Sequence, residues 1–259
     1  MPERNERHEA LILRAKDSPK GDRIVTMLTP EAGLIDAFIF GGHKSGLRSS
    51  ASPYVHGDAF IYSDPVRHSR MLSDFFILDS YPGLRESYDK LKFASLMAEF
   101  LMKTSSCGGE YATMLSLSLD TLHAMNDSGD ASTRLLSLAW LWKSLDVMGL
   151  QPGLDVCASC QGPLEGEKIR YDQARDGFVC RNCHQTRFEG EENAAACLPE
   201  LAQKDLSLLA SCTGTDIPGC AGLCNGSTDP DGRSLAVLEE VVHMLVRNAA
   251  EGSLMSLDM

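Results

Sequence analysis

No stretch of about 18 uncharged apolar residues occurs in the chain, which excludes a membrane-spanning helix. The first residues, Met1-Pro2-Glu3-Arg4-Asn5-Glu6-Arg7, lack both the apolar core of a secretory leader and the acid-poor character of a transit peptide. A reducing cytoplasm is therefore the expected location, with no membrane partner. The local signatures of common enzymes are missing too. There is no G-x-x-x-x-G-K-[ST] loop, no G-x-G-x-x-G after a strand, no H-E-x-x-H and no G-x-S-x-G. His8, His43, His56, His68, His123, His184 and His243 are scattered, and none sits at a metal or triad spacing from an acid. The expectation is a protein that is not an enzyme and takes no small-molecule substrate. Repeats at solenoid periods and low-complexity tracts are absent as well. What remains is globular in composition: 259 residues, 43% hydrophobic and 23% charged, enough for one large domain or two smaller ones.

The chain also lacks a basic excess. Its formal net charge is −12, so a polyanion must be met by local patches rather than by the field of the whole molecule. The imbalance is uneven. Residues 1–80 hold 10 Lys and Arg against 11 Asp and Glu, and residues 81–259 hold 14 against 25. The near-neutral N-terminal part is the better place for nucleic acid.

Five β-type runs lie in that part: His8 to Ala15, Arg23 to Thr29, Leu34 to Phe40, Gly57 to Tyr62 and Phe75 to Asp79. Pro30-Glu31-Ala32-Gly33 is a turn between the second and third. Short strands at this spacing predict a closed or sandwiched all-β unit, and five in about eighty residues suit the OB-fold barrel. An SH3-like barrel has the same periodicity. The connection Gly41 to Pro53 carries Lys44 and Arg48 with glycines and hydroxyls and no acid, while Arg67-His68-Ser69-Arg70 separates the last two runs. Arg14 and Lys16 close the first strand. Such acid-free stretches suit phosphate, although each alone also reads as an ordinary solvated turn. Phe38, Phe40, Phe60 and Tyr62 are candidate base-stacking rings, and alternation is expected to bury some of them in the barrel.

After Tyr81-Pro82-Gly83-Leu84 the apolar period becomes helical. Helices are expected over Tyr88 to Thr104, Tyr111 to Met125, Leu135 to Met148, Leu198 to Ser211 and Leu235 to Ala250, with a mobile surface loop at Gly214 to Gly232. The fold class is thus α+β: an N-terminal five-stranded OB-fold barrel (1–80), then a helical domain (81–259) carrying a four-cysteine, zinc-ribbon-like insertion at about 150–190.

Nine cysteines in a reducing compartment need a use other than disulfides. Cys157-Ala158-Ser159-Cys160 and Cys180-Arg181-Asn182-Cys183 form two C-x2-C turns separated by nineteen residues. Two such turns supply four thiolates to one tetrahedral ion, and Lys168 to Tyr171 with Gly177 to Val179 read as the hairpin between them. One structural zinc is expected, because a closed four-sulfur shell leaves no position for a reacting water. His184 follows the last ligand without being needed. Cys107, Cys197, Cys212, Cys220 and Cys224 are expected as surface or half-buried thiols.

The order of these parts is similar to that of the bacterial RecO family. The resemblance rests on Leu11-Ile12-Leu13-Arg14, the stretch Asp22 to Ile35, the Gly-Gly basic loop, the Tyr81 to Glu86 junction, and Met148-Gly149-Leu150-Gln151-Pro152 leading into Cys157-x-x-Cys160. It runs from about residue 8 to 190. It implies a non-enzymatic mediator of recombinational repair that binds single- and double-stranded DNA, anneals complementary strands and, with RecR and the single-stranded-DNA-binding protein, helps to load RecA. It further implies that Lys44, Arg48, Arg14 and Arg23 face DNA and that Cys157, Cys160, Cys180 and Cys183 hold zinc; Arg67 and Arg70, the second cationic stretch, are added to the DNA-binding candidates from the residues alone. The alternative is an acidic protein-interaction scaffold with a structural zinc and no direct DNA contact.

Overall fold

The computed structural model describes residues 5–18, 21–40, 46–64, 69–104, 109–188, 199–223 and 232–257. The chain packs as two compact units, residues 1–130 with 254–259 and residues 131–253.

The first unit begins with five strands: β1 (Asn5–Asp17), β2 (Arg23–Thr29), β3 (Gly33–Ile39), β4 (His56–Asp64) and β5 (Ser69–Asp79), with a single helical turn α1 (Leu47–Ser50) between β3 and β4. They close in the order β1-β2-β3-β5-β4, β1 pairing with β2 on one side and β4 on the other. β3 meets β5 in parallel at Phe38 and Met71, which is the OB-fold arrangement. A chain-order meander would instead have set β4 beside β3, so the SH3-like alternative is settled against. The long β1 can serve two partners because it bends. Its register shifts between Ile12 and Arg14, and the ladder groups of Ile12 are taken up by Val55 O (3.0 Å) and Tyr54 N–H (2.7 Å). Inward residues alternate as the pleat requires. Ile12, Val25, Met27, Ile35, Ala37, Ile39, Ala59, Ile61 and Leu72 form one buried cluster that Phe75 closes. Gly57 is dictated by space: a Cβ there would lie 2.2 Å from the Phe76 carbonyl oxygen.

Pro82–Glu86 forms a 3-10 turn, followed by α2 (Tyr88–Lys103) and α3 (Tyr111–Asp127). α2 packs on β1 and α3 on β2. This covers the outer side of β1, which is why Leu11 and Leu13 are as buried as the core-facing Ile12. It also explains why the compact unit ends at residue 130, whereas the change from strand to helix falls near residue 80. The C-terminal turn Met255–Leu257 docks on α2, where Glu99 accepts the Met255 and Ser256 N–H groups at 2.9 and 2.8 Å.

The second unit contains α4 (Asp130–Val147), the hairpin β6 (Glu167–Asp172) and β7 (Gly177–Val179), α5 (Arg181–Phe188), β8 (Leu201–Ala202), α6 (Gln203–Gly214), α7 (Ile217–Leu223) and α8 (Gly232–Ala249). Trp140 and Trp142 of α4 are fully buried, and Trp142 Nε1–H donates to Thr213 Oγ1 at 2.9 Å. Two expectations are corrected here. Leu201 and Ala202 extend as β8 against β6, so helix α6 starts at Gln203. The segment expected as a loop from Gly214 holds helix α7, whose first turn is capped by Asp216 accepting the Gly219 N–H at 2.9 Å. Among the described residues, no helix is long and apolar enough to cross a membrane.

Candidate nucleic-acid interface and metal centre

Cys157 and Cys160 lie on a tight turn that hydrogen-bonds to its surroundings through Cys157 N–H to Gly162 O (2.7 Å) and Ala158 N–H to Phe178 O (2.8 Å). The second bond ties the turn to β7, Cys180 follows directly after that strand, and α5 then carries Cys183. The approach is close: a Cβ on Gly177 would stand 2.8 Å from that of Ala158. The four sulfurs all lie within 4.8 Å of one another, and Cys160 Sγ is 3.9 Å from Cys180 Sγ. A tetrahedron with metal–sulfur bonds of about 2.3 Å has edges of about 3.8 Å, so the geometry and the donor chemistry fit one ion. Cys157 is buried, which opposes its ionisation, yet N–H groups of the turns, including Ser159 and Cys180 at 3.4 Å from its sulfur, bring its pKa down to about 6. Cys183 receives a hydrogen bond from Ser159 that favours its thiolate, but its neighbours Cys160 and Cys180 outweigh it and push the thiol up to about 12. Four sulfurs this close cannot all ionise alone; a divalent cation makes it possible. His184 is half-buried next to this set and is not a member of it. Cys212 and Cys220 are fully buried in α6 and α7 rather than at a surface; Cys107, Cys197 and Cys224 lie outside the described residues.

On the barrel, the six candidate cations separate into groups. Arg23 donates from Nε to Asp17 Oδ1 (2.9 Å) and from Nη1 to the Arg48 carbonyl (2.9 Å). Arg48 binds the same Asp17 oxygen and gives Nη1–H to Gly21 O at 3.0 Å. These two guanidiniums therefore clamp the β1–β2 connection to α1, with Asp17 offsetting part of their charge. Arg14, Lys16 and Arg70 are exposed and form no ion pair among the described residues. Lys44 and Arg67 lie outside the described residues. The acid-free loop reading did not foresee the clamp; its only signal was Asp17 next to Lys16 at the end of a strand.

The rings differ from expectation. None of the four candidates is buried: Phe38, Phe60 and Tyr62 are half-buried and Phe40 is 53% exposed. The inward positions beside them belong to Ala37, Ile39, Ala59 and Ile61, because a five-stranded barrel has no interior room for four large rings. Phe76, not singled out in the sequence, is also outside, with its ring 5.5 Å from Phe60. The signal for it was Phe75, whose burial turns its neighbour outward.

Family models for the N-terminal and C-terminal parts of recombination protein O match residues 1–81 and 85–216. The chain belongs to the RecO family. It is 31% identical over 177 residues to a DNA repair protein RecO of Bacillus pumilus, covering 68% of this chain and 67% of that one. Identity to the RecO of Pelotomaculum thermopropionicum is 30% over 177 residues, with the same coverage. The RecO of Anaeromyxobacter sp. strain Fw109-5 is 30% identical over 176 residues, 67% of this chain and 68% of its own. The boundary between the two RecO models falls between residues 81 and 85, at the 3-10 turn where strands give way to helices.

Proposed function

We propose that this RecO-family chain is a non-enzymatic mediator of recombinational repair that binds single- and double-stranded DNA and anneals complementary strands. In this reading it acts in the cytoplasm with RecR and the single-stranded-DNA-binding protein to help load RecA. The observation that carries the proposal is an OB-fold barrel, in a chain of a DNA-repair family, with exposed cations on its outer strands. Arg14 and Arg70 contact phosphate directly, Arg23 and Arg48 mainly hold the β1–β2 connection in place, and Lys44 and Arg67, outside the described residues, are the remaining candidate contacts. The four cysteines bind one zinc ion, which when present joins the two C-x2-C turns and takes no part in a reaction. Cys157 and Cys160 are positioned by the first turn, Cys180 and Cys183 by β7 and α5.

The test is annealing of two complementary strands coated with the single-stranded-DNA-binding protein, with and without RecR. The proposal expects this chain to speed annealing and RecR to redirect it toward RecA loading. No acceleration on bare or coated strands contradicts it and favours the acidic scaffold.

A further inference from the structure

The fold brings two imidazoles onto one carboxylate from positions far apart in the chain. His56 stands opposite Asp79 in the β4–β5 ladder and opposite Leu11 in the β1–β4 ladder, with Glu9 two residues from Leu11 on the same face. His123 reaches the same carboxylate from α3. The tautomers follow from the outer partners. His56 Nε2 is 2.9 Å from Glu9 Oε1, and a carboxylate only accepts, so Nε2 carries the hydrogen. His123 Nδ1 is 2.9 Å from the Leu119 carbonyl oxygen, which fixes its hydrogen on Nδ1; the Tyr81 oxygen lies 3.5 Å from the same nitrogen. In the neutral rings His56 Nδ1 and His123 Nε2 are therefore bare lone pairs. Both face Asp79 Oδ2, at 3.7 and 3.3 Å.

Three acceptors thus converge with no donor among them. His56 is only 7% exposed, and its Nδ1 is buried with no hydrogen-bond partner among the described residues. An atom left in that state is destabilising, so the arrangement calls for a cation. The surroundings are electronegative: burial first, then the charges of Asp79 and Asp120, push the Tyr81 phenol well above its ordinary value. A second proton on each ring would supply donors, but 3.7 Å is too long for an N–H···O bond. A tetrahedral ion with bonds of about 2.0–2.1 Å sets neighbouring donors about 3.4 Å apart, close to both separations. Imidazoles whose other N–H goes to a carboxylate and to a backbone carbonyl are also in the state that metal-bound histidines adopt. Among the described residues only the four cysteines have donor atoms all within 4.8 Å of one another, so half-exposed His123 must turn further inward when an ion is held.

We infer that His56 Nδ1, Asp79 Oδ2 and His123 Nε2 form a second metal site, for a divalent ion such as zinc or cobalt(II), that ties the end of β5 to α3. Two imidazoles and one carboxylate suit these ions rather than magnesium or calcium, which take oxygen donors. Water completes the shell. Three ligands, two of them half-exposed, hold the ion more weakly than four thiolates, so dialysis clears this site and leaves the cysteine-bound ion in place. The ion bridges strand and helix within the N-terminal unit and is independent of any contact with DNA.

The test titrates cobalt(II) into the dialysed, full chain with zinc on its cysteines, followed by visible absorption and thermal unfolding. One equivalent is expected to bind saturably, to give a d–d band without thiolate charge transfer, and to raise the unfolding midpoint. His123→Gln, at an exposed position, should weaken that binding at least tenfold. His8→Gln, on the opposite face of β1, should leave it unchanged. Asp79→Asn should abolish it and, because an amide N–H2 meets the two bare nitrogens, should raise the midpoint of the cobalt-free chain at neutral pH. Cobalt that appears only with a thiolate band has exchanged into the cysteines and overturns the inference. Binding that survives both His123→Gln and Asp79→Asn is an adventitious ion only and overturns it as well. A cobalt-free midpoint lowered by Asp79→Asn shows that protons already join the rings to Asp79, which leaves no site for a metal.

Discussion

The barrel closes its sheet around thirteen buried residues, from Ala10 to Phe75. The cysteine module has a three-residue β7 and a two-residue β8 against a six-residue β6, with Ile169, Tyr171, Phe178, Val179 and Leu201 as its main buried side chains. Each part is a small β unit, but only the first removes enough apolar surface from water to offset the entropy of ordering its chain. The second brings four sulfurs within 4.8 Å of one another, an arrangement that is repulsive when ionised and strongly favourable around a divalent cation. A closed sheet supplies a rigid surface on which side chains can face a ligand; a metal-held knuckle supplies local order. The difference explains why charge and rings for a polymer are sought on one and the thiolate-held ion on the other.

The sharpest way to break this comparison is to take the metal away. Cys157→Ser is expected to reduce bound zinc from one equivalent to none and to abolish amide protection across residues 157–183, since structural zinc contributes about 10–16 kcal/mol of apparent binding energy. Hydrogen exchange should find the barrel strands unaltered. Next in size is the barrel itself: Met27→Ala, at a fully buried position, should cost about 2–5 kcal/mol in denaturant unfolding of the N-terminal unit while zinc content stays at one. Loss of zinc in that variant would show that the two regions do not stand apart.

Arg48→Ala sharpens the barrel side. It removes the clamp on Asp17 and Gly21, with an expected cost of about 1–3 kcal/mol and faster exchange in the β1–β2 connection. A variant with unchanged stability and lost DNA binding would instead make Arg48 a phosphate contact alone. The smallest effect belongs to Glu99. Burial opposes its charge, but the Ser256 N–H and hydroxyl, the Met255 N–H and Lys103 hold its pKa down at about 2. Its folded value is below the ordinary carboxylate range, so its contribution is complete above about pH 4.3 and is lost as pH falls toward 2. Glu99→Gln should loosen the C-terminal turn by about 1 kcal/mol at neutral pH and flatten that acid dependence, read by thermal unfolding across pH.

Much of this was legible in the sequence because the signals are local. Arg23–Thr29 was expected at its observed bounds, and the hairpin that delivers Cys180 to Cys157 follows from alternation between two C-x2-C turns. What was not legible depends on contacts far along the chain. The bulge after Ile12 exists because β1 must pair with two strands, and β8 forms only because Leu201 finds Ile169 across the sheet. The direction of the rings was half-legible: alternation says that Phe38 and Ile39 face opposite ways, but only closure of the barrel decides which is inside. Arg23 and Arg48 look like free cations until the fold brings Asp17 between them.

The claim that the barrel handles nucleic acid despite a net charge of −12 is tested most directly by fluorescence anisotropy of a labelled single-stranded oligonucleotide with the intact, zinc-loaded chain across a salt series. Saturable binding is predicted, weakening with salt at a slope of about −0.7 for each phosphate neutralised. No binding even at the lowest salt would contradict it and leave a metal-stapled acidic scaffold whose partners carry the DNA.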